Sequence, residues 1–569
     1  MPTVNGPDEI TSLESGNNKV FYSNNTGEIT ELALGASGTV LTSAGTDATA
    51  NPPTWEAAAG GSEITLNSSA AIALGKFVVL ETAGTVKEVS STTTLSTSFG
   101  SKVTSGGPTS VVQTQNPSVI WDSTRDVFWC SVANTSGVIQ IYIMEVTSAG
   151  VVTLTSVSTI SGTGTGTYGL QSMTHDTTND KLVVMYEALT GYFDVQSGTL
   201  SGTGSSSTVS AWSGAVNVGS SWYRWTGVPV SSVYVAATDR SYFFFTNYNQ
   251  YAAACVINTS GASPVIANSG GYINAYQNNQ YYGYDCALAA NGQIAVVGAG
   301  NGGYAGLNAY NITPTASGWT VQDASTGGTQ IMAGIAGFGT TQGVAVVYDA
   351  SETKMVAYQV GNQAQTEVAT FVIPTTGDMT NVSTTLALDM ANTFGYVSRI
   401  RPPLGYDTAN NVVIAGYITS ASTPSVVFER IDTSGTNPVK AGSPVTSTLN
   451  NNNWSQWGTA AYSPSNNWIC WSGTWGTNSG GFSVSTASVS TNNTAQIGVA
   501  QNAATGAGQA VTIKTLGALD ETQTGMTVGD IYIDKDGAPT STSTGLNVQV
   551  GRAIAADKLL ITETGSGTV

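Results

Sequence analysis

Hydrophobic and polar positions repeat along the chain with a period of about 57 residues, from about 110 to 490. Each copy has a short apolar run, a polar turn and a second apolar run. Seven copies are found: IWDSTRDVF (120–128), THDTTNDKL (174–182), VAATDRSYF (235–243), LAANGQIAV (288–296), FGTTQGVAV (338–346), YDTANNVVI (406–414) and AYSPSNNWI (461–469). Short apolar runs bounded by Asn, Asp, Ser and Gly predict β-strands joined by tight turns.

Each copy carries four strand-like pieces, for example SVIWD, VFWCSV, IQIYIMEV and VVTLTSV in the first. Successive hairpins of this kind form a meander, and four strands in each of seven copies is the count for a seven-bladed β-propeller. A β-solenoid needs shorter and more uniform coils, and tandem sandwich domains need units of about 90–100 residues. The pattern therefore predicts an all-β chain with a β-propeller over 108–490, with six or eight blades as alternatives.

The segments on either side of the repeats have a different character. Residues 1–60 are predicted to be an extended attachment leader, in which FYSNNTGEITELAL (21–34) forms a strand, a turn and a strand. Residues 61–100 and 493–569 share short strands with clean alternation. The simplest interpretation is one small discontinuous β domain, with the propeller inserted into it, because compact domains tolerate insertion at a hairpin tip.

The charge of the chain excludes several partners. Only 9% of its residues are charged, and the net charge is −18, so we expect no nucleic acid partner and no binding to an anionic membrane. The N-terminus lacks the apolar core of a secretory signal, and no run reaches the length of a membrane span. We therefore predict no membrane insertion and no export by a standard signal.

Metal and cofactor chemistry has little support in the sequence. Cys130, Cys255, Cys286 and Cys470 are far apart and are predicted to be buried free thiols. His175, the only histidine, is predicted at a turn. Asp534–Gly537 starts like a calcium loop, but glycine stands where the loop needs a glutamate, so a hairpin turn is predicted instead. We predict no metal and no cofactor.

The sequence does not favour hydrolysis of glycans. A sialidase-like site needs an arginine cluster, and only Arg399 and Arg401 are close in sequence. A glycosidase needs two carboxylates about 5–9 Å apart, and the sequence marks no such pair. Asp285 and Asp239 are an example of two acids that the fold could bring together by chance. We predict no catalytic residues and no enzyme.

Aromatic residues cluster in segments between or beside the predicted blades, together with Asn and Gln. Sugar rings stack on aromatic faces, so these segments are candidates for glycan binding, although packing between blades is the competing explanation for most aromatics. The candidates are Trp222, Tyr223, Trp225, Tyr276, Tyr281, Tyr282, Trp454, Trp457 and Trp475. The turn residues Asp122, Asp176, Asp407 and Ser463 are instead predicted to cap their turns through backbone N–H groups.

The flanks resemble phage structural proteins. The run GASGTVLTSAGTDATANPPTWEAA carries Gly35, Gly38, Val40, Leu41, Ser43, Gly45 and Pro53-Thr54-Trp55, and it resembles a recurrent segment of phage tail-fibre proteins. AIALGKFVVLETAGTVKEV, IGVAQNAATGAGQAVTI, TVGDIYIDKDG and VGRAIAADKLLI are similar to a small β domain of virion fibre proteins of marine phages. The resemblance implies a fibre or appendage on the virion surface, often trimeric, and supplies no catalytic residues.

These observations predict a virion structural protein. It attaches to other virion proteins, forms a homotrimer and binds host-surface glycans through its propeller. A capsid-decorating head fibre or connector without receptor binding is the alternative, and a polysaccharide depolymerase is the third.

Overall fold

The computed structural model describes residues 19–23, 29–33, 39–42, 54–57, 63–81, 84–95, 117–134, 138–147, 150–160, 171–188, 192–219, 230–246, 252–273, 284–300, 306–323, 328–333, 341–361, 366–389, 403–408, 410, 412–418, 425–448, 456–475, 481–492, 495–533, 537–541 and 548–563. These residues are almost entirely strands and turns, with one short 3-10 helix, Gly204–Ser206. Two compact units are present: a flanking unit of Met1–Ser91 with Thr491–Val569, and a ring unit of Thr92–Ser490.

The leader contains two hairpins. Its strands are β1 (Lys19–Ser23), β2 (Ile29–Ala33), β3 (Thr39–Thr42) and β4 (Thr54–Ala57). β1 pairs antiparallel with β2, which confirms the strand, turn and strand predicted from FYSNNTGEITELAL, and β3 pairs with β4. The next four strands are β5 (Glu63–Asn67), β6 (Phe77–Leu80), β7 (Val86–Glu88) and β8 (Ser91–Leu95).

Seven antiparallel meanders follow along the chain, which we call blades 1 to 7. Their strands are β9 (Ser118–Asp122), β10 (Val127–Ala133), β11 (Ile139–Val146) and β12 (Val152–Ile160) in blade 1; β13 (Gln171–Asp176), β14 (Lys181–Glu187), β15 (Phe193–Ser201), β16 (Thr208–Val209) and β17 (Val216–Asn217) in blade 2; β18 (Ser231–Val235), β19 (Arg240–Thr246), β20 (Ala252–Asn258) and β21 (Val265–Tyr272) in blade 3; β22 (Tyr284–Leu288), β23 (Ile294–Gly300), β24 (Gly306–Thr315), β25 (Gly318–Val321) and β26 (Thr329–Ala333) in blade 4; β27 (Thr341–Asp349), β28 (Lys354–Gly361), β29 (Thr366–Phe371) and β30 (Leu386–Asp389) in blade 5; β31 (Leu404–Asp407), β32 (Val412–Ile418), β33 (Ser425–Asp432) and β34 (Val439–Thr448) in blade 6; and β35 (Gln456–Ser463), β36 (Trp468–Trp475) and β37 (Gly481–Thr491) in blade 7.

The blades close into a ring. The first strand of each blade contacts the first strand of the next, and β35 of blade 7 contacts β9 of blade 1. Closure is direct, because the Thr459 hydroxyl accepts a hydrogen bond from the Val119 N–H (2.5 Å) and donates to the Val119 carbonyl (2.9 Å). The predicted all-β propeller fold is confirmed.

The fourth strand of blade 7 comes from the other end of the repeat region. β8 lies beside β37 and completes that sheet. The predicted assignment of 91–95 to the small β domain is corrected by this pairing. Joining strands from the two ends of the ring in one sheet ties the last blade to the first, which leaves no open seam.

The blades pack through strands that are buried on both faces. In β10 every residue is buried. Phe128 packs on one side with Trp468 of blade 7, and Trp129 packs on the other side with Leu182 of blade 2. Continuous apolar runs of this kind are expected for strands that lie between two neighbouring layers.

Besides the two leader hairpins, the described part of the flanking unit contains two five-stranded sheets. Its C-terminal strands are β38 (Gln496–Ala500), β39 (Ala510–Lys514), β40 (Leu519–Asp520), β41 (Gly529–Ile533), β42 (Pro539–Thr540), β43 (Val548–Ala555) and β44 (Lys558–Ile561). One sheet has the order β5-β39-β38-β6-β7 and so joins both flanks, and the other has the order β40-β44-β43-β41-β42. β41 pairs with β42, which confirms the hairpin predicted at Asp534–Gly537.

Candidate functional site

The ring has two chemically different faces. The turns between first and second strands of neighbouring blades touch one another, as Arg125 touches Asp180 and Asn179 touches Asp239. The turns between third and fourth strands lie on the same side of the ring. In blade 2, the Gly204 N–H of such a turn donates to the Arg125 carbonyl in the first turn of blade 1 (3.0 Å). We call this side the turn face. Because the strands are antiparallel, the connections from second to third strands, and from the last strand of one blade to the first strand of the next, attach to strand ends on the opposite side, which we call the loop face.

The turn face is held together by capping residues, as predicted. Asp122 Oδ1 accepts from the N–H groups of Thr124 (3.0 Å) and Arg125 (3.2 Å), and Asp176 Oδ1 accepts from those of Thr178 (3.1 Å) and Asn179 (2.9 Å). Asp407 accepts from the Asn410 N–H (2.9 Å), and the Ser463 hydroxyl accepts from the Asn466 N–H (3.4 Å). These contacts confirm the structural role of the turn residues.

A small charged cluster joins blades 1 and 2 on the turn face. Arg125 pairs with Asp180 (2.5 Å) and with the buried Asp122 (3.1 Å). The hydrogen bonds to Asp180 raise the pKa of Arg125, and the same bonds lower the pKa of Asp180. His175 lies 3.3 Å from Asp180 and is buried. It is the penultimate residue of β13, two residues before the turn begins at Thr177, so its predicted position at a turn is wrong. The cluster is an interblade tie.

The structure describes little of the predicted glycan-binding residues. Trp222, Tyr223, Trp225, Tyr276, Tyr281, Tyr282 and Trp454 lie outside the described residues, and for Trp457 and Trp475 only the strand backbone of β35 and β36 is described. The first seven stand in segments that join the last strand of one blade to the first strand of the next. Tyr272, at the loop-face end of β21, is described and is 49% exposed.

Most described aromatic residues are packed inside the ring. Trp129, Trp471, Tyr142, Tyr186, Tyr242 and Tyr358 are fully buried. Trp212 Nε1 donates to the Ser158 hydroxyl (2.9 Å) in the interface between blades 1 and 2. Packing between blades is therefore confirmed as the role of these residues.

An axial cavity of about 160 Å³ lies between the first strands. It is large enough for roughly ten water molecules. Every blade contributes the residue that stands three positions before its turn residue: Val119, Met173, Ser232, Asp285, Val346, Leu404 and Ala460. This layer is not among the predicted site residues, although the position of the repeated turn locates it in six of the seven copies.

Asp285 is the one ionisable residue among these seven equivalent positions, and it is 2% exposed. Its Oδ1 accepts from the Ser231 hydroxyl of blade 3 (2.9 Å), and its Oδ2 accepts from the Val346 N–H of blade 5 (2.9 Å). Its carboxylate therefore connects three blades around the axis. Asp239 lies at the turn face, bonded to Asn179 and Tyr234, so these two acids do not form the two-carboxylate pair considered above.

The four cysteines are free and buried, as predicted. Burial raises the pKa of Cys286 to about 12, so this thiol beside the cavity stays protonated at neutral pH. Across the described ranges, no three His, Cys, Asp or Glu side chains form a group that could hold a metal ion. The described part of the chain also contains no helix long and apolar enough to cross a membrane.

Comparisons with known proteins find similar shapes at low identity. No family model and no curated protein matches the chain. Among solved structures, the BP39L lectin from Burkholderia pseudomallei is 12% identical, with a TM-score of 0.42, over 65% of this chain and 98% of that one. AofleA from Arthrobotrys oligospora is 9% identical, with a TM-score of 0.38, over 66% and 98%. An ulvan lyase of polysaccharide lyase family PL25 is 10% identical, with a TM-score of 0.43, over 68% and 94%.

The prediction that the chain is not an enzyme is corrected by these comparisons. The similar structures include two polysaccharide lyases, the ulvan lyase and Uly1. The prediction is therefore wrong as an exclusion. Function resides in the site and not in the fold.

Proposed function

We propose that the chain is a phage virion component, a fibre or appendage, that binds host-surface glycans through the loop face of its ring. The phage assignment is supported by the resemblance of the flanks to tail-fibre segments. Glycan binding is supported by the distribution of aromatic residues over the ring. The observation that carries it is that the sequence segments rich in aromatic residues all join the last strand of one blade to the first strand of the next, and so leave from the same face of the ring.

Chain length limits how far the aromatic residues can lie from the cavity. Tyr282 stands three residues before Asp285, and Trp457 stands three residues before Ala460. Three residues span at most about 11 Å. Trp225 stands seven residues before Ser232, which allows at most about 25 Å. Chain length therefore limits these three positions to about 11–25 Å from residues that line the axial cavity.

The flanking unit is proposed to attach the protein to other virion proteins and to form a homotrimer on the virion surface. Three rings in one assembly would multiply weak sugar contacts, since linked sites bind a surface with far higher avidity than one site. A head fibre or connector without receptor binding is the runner-up.

Binding to a glycan array tests the proposal. We expect the wild-type protein to bind a defined set of glycans, and Trp454→Ala and Tyr276→Ala to weaken binding by roughly three- to tenfold, the usual contribution of one aromatic contact. Tyr272→Ala and Val265→Ala form a matched pair, because these exposed residues are the loop-face and turn-face ends of β21. Only Tyr272→Ala should weaken binding.

The same array separates the competing functions. Release of new reducing ends or unsaturated sugars would show a depolymerase. Absence of binding to every glycan and to host cells would favour a decorating or connecting role and would contradict the proposal.

A further inference from the structure

The C-terminal sheet of the flanking unit, β40-β44-β43-β41-β42, has one face in a core. Ile531 and Ile533 of β41 and Leu559 and Ile561 of β44 are buried there, together with Phe77 of the other sheet. Alternate residues of the same strands point to the opposite side, which we call the outer face. On an antiparallel sheet, a face that only meets water is normally polar.

The outer face carries large apolar side chains instead. Val528, directly before β41, is 65% exposed, and Ile554 of β43 is 52% exposed. The exposed fraction of Val528 is the highest of any large apolar side chain that the structure describes. Tyr532 of β41 and Leu560 of β44 lie on the same face and are half-buried. A single exposed valine needs no explanation, whereas a group of exposed apolar side chains marks an interaction surface.

Val528 and Ile554 are neighbours across two strands. The register of β41 against β43 places them opposite each other, one step beyond the end of β41. The Met526 N–H donates to the Ala556 carbonyl (3.0 Å), so the two segments still run side by side at this point. The two side chains therefore form one apolar patch.

A charged pair lies next to this patch. Asp530 stands opposite Arg552 in the same register, and both are exposed. Within the part of the chain that the structure describes, neither of them forms an ion pair. Lys558 of the neighbouring strand, by contrast, pairs with Glu521 (3.0 Å). The outer face thus presents one acid and one base side by side, and both are available to a partner.

The edges of this sheet do not favour the addition of another strand. Its edge strands, β40 (Leu519–Asp520) and β42 (Pro539–Thr540), have two residues each. Short edges and edge prolines are features that prevent pairing with further strands. A partner of this sheet is therefore expected on the outer face.

We propose that copies of this chain associate through the outer face of the β41–β43 pair. This inference rests on the proposed homotrimer and identifies the surface that forms it. Around a three-fold axis parallel to these strands, β41 of each copy faces β43 of the next. Val528 then packs on Ile554 of the next copy, and Asp530 pairs with Arg552 of the next copy.

Charge complementarity favours a second copy as the occupant. The β41 row offers an apolar residue and an acid, and the β43 row offers an apolar residue and a base at the matching positions, so the face fits itself. The chain has a net charge of −18, and its copies repel each other on average. A contact that contains one acid and one base avoids this repulsion and fixes the orientation of the copies.

Sedimentation velocity of the full-length protein over a range of concentrations tests the proposal. We expect the wild type to assemble with the mass of three copies. Val528→Asp should raise the dissociation constant at least tenfold, because it places a carboxylate in the apolar patch and beside Asp530. Val151→Asp is the matched control, since Val151 is 51% exposed and lies in the ring unit. It should leave assembly unchanged.

An exchange of charges tests the ion pair separately. Asp530→Arg alone and Arg552→Asp alone each bring like charges together between copies, and each should weaken assembly about tenfold or more. The double variant with both substitutions should assemble as the wild type does. Damage to the fold would not be repaired by the second substitution, so this rescue separates a contact between copies from a loss of stability.

The outcomes are distinct for the two proposals. A wild type that assembles, together with Val528→Asp and single charge variants that assemble equally well, would overturn this inference and leave the homotrimer in place. A wild type that is monomeric at every concentration would overturn both. Chemical crosslinks that join the outer face to residues 1–61 of the same chain would show that the leader covers it, and they would also overturn this inference.

Discussion

At the residue scale, one backbone position repeats around the ring. Four residues after each turn residue, the chain adopts a left-handed conformation, at Asp126, Asp180, Asp239, Gly292, Thr353 and Asn467 in the six blades where that position is described. Asp, Asn and Gly tolerate this conformation, whereas a β-branched residue does not. Thr353, with φ +53°, is therefore the strained member.

Thr353→Asn should stabilise the protein by about 1 kcal/mol, because asparagine is far more common in this conformation. Gly292→Ala should destabilise it by about 1 kcal/mol, since Gly292 has φ +83° and no atom lies within 4 Å of an added Cβ. Urea unfolding measures both. A loss of stability in the threonine variant would contradict the assignment of strain.

Asp323 is a second informative residue. Burial, together with the charge of Asp378, raises its pKa to about 6. A carboxyl with a raised pKa in the folded state favours folding below its unfolded pKa of about 3.9, and this contribution is lost as the pH rises through 6.

Asp323→Asn removes this pH dependence. The stability of the variant relative to wild type should increase by roughly 1–3 kcal/mol between pH 4 and pH 7. Urea unfolding at several pH values measures the difference, and a difference that is independent of pH would contradict the raised pKa.

At the element scale, a repeated clasp links neighbouring blades. The Thr433 hydroxyl of blade 6 donates to Asp349 of blade 5, and Lys354 of blade 5 donates to the carbonyls of Thr433 and Gly435 (2.7 Å each). The same arrangement joins blade 3 to blade 2 through Thr259 and Asp176. These clasps connect blades that share no ladder of backbone hydrogen bonds.

Thr433→Val should destabilise the ring by about 1–3 kcal/mol, because it leaves one carboxylate oxygen of the buried Asp349 without this donor. Thr155→Val is the matched control, since Thr155 is exposed on β12. It should change the free energy of unfolding by less than about 0.5 kcal/mol. Similar effects in the two variants would contradict the clasp.

The sequence predicts elements well where turn chemistry is explicit. Most repeat turns carry Asp, Asn or Gly at the left-handed position. The predicted positions of these turns agree with the structure. The fifth copy was assigned to FGTTQGVAV, but the turn of blade 5 follows Asp349. Thr353 replaces the expected Asn, Asp or Gly there, so the usual signal is absent. The placement of β8 in blade 7 was missed because its partner β37 lies at the far end of the repeats.

At the scale of the whole molecule, the ring is an insertion between two flanks that share a sheet. Strands β5, β6 and β7 from one flank and β38 and β39 from the other form that sheet. At the point of insertion, the Ser90 N–H donates to Asn492 Oδ1 (2.8 Å). The candidate site could be predicted only as a set of aromatic segments, because their convergence on one face depends on strand direction around the whole ring.

Deletion of Thr92–Ser490, with Ser91 joined directly to Thr491, should leave a folded flanking unit. Ser90 and Asn492, each next to one of the two ends, already lie within hydrogen-bonding distance, so the new link spans a short gap. A cooperative thermal transition and dispersed NMR signals would show folding. An insoluble or unfolded product would contradict the independence of this unit.

The central claim is that glycans bind the loop face of the ring. Photo-crosslinking of a bound oligosaccharide, followed by mass spectrometric mapping, tests it most directly. We predict crosslinks in 218–230, 273–283 and 449–455, the connections that carry the candidate aromatic residues. Crosslinks confined to turn-face peptides such as 122–126 and 176–180 would contradict the account.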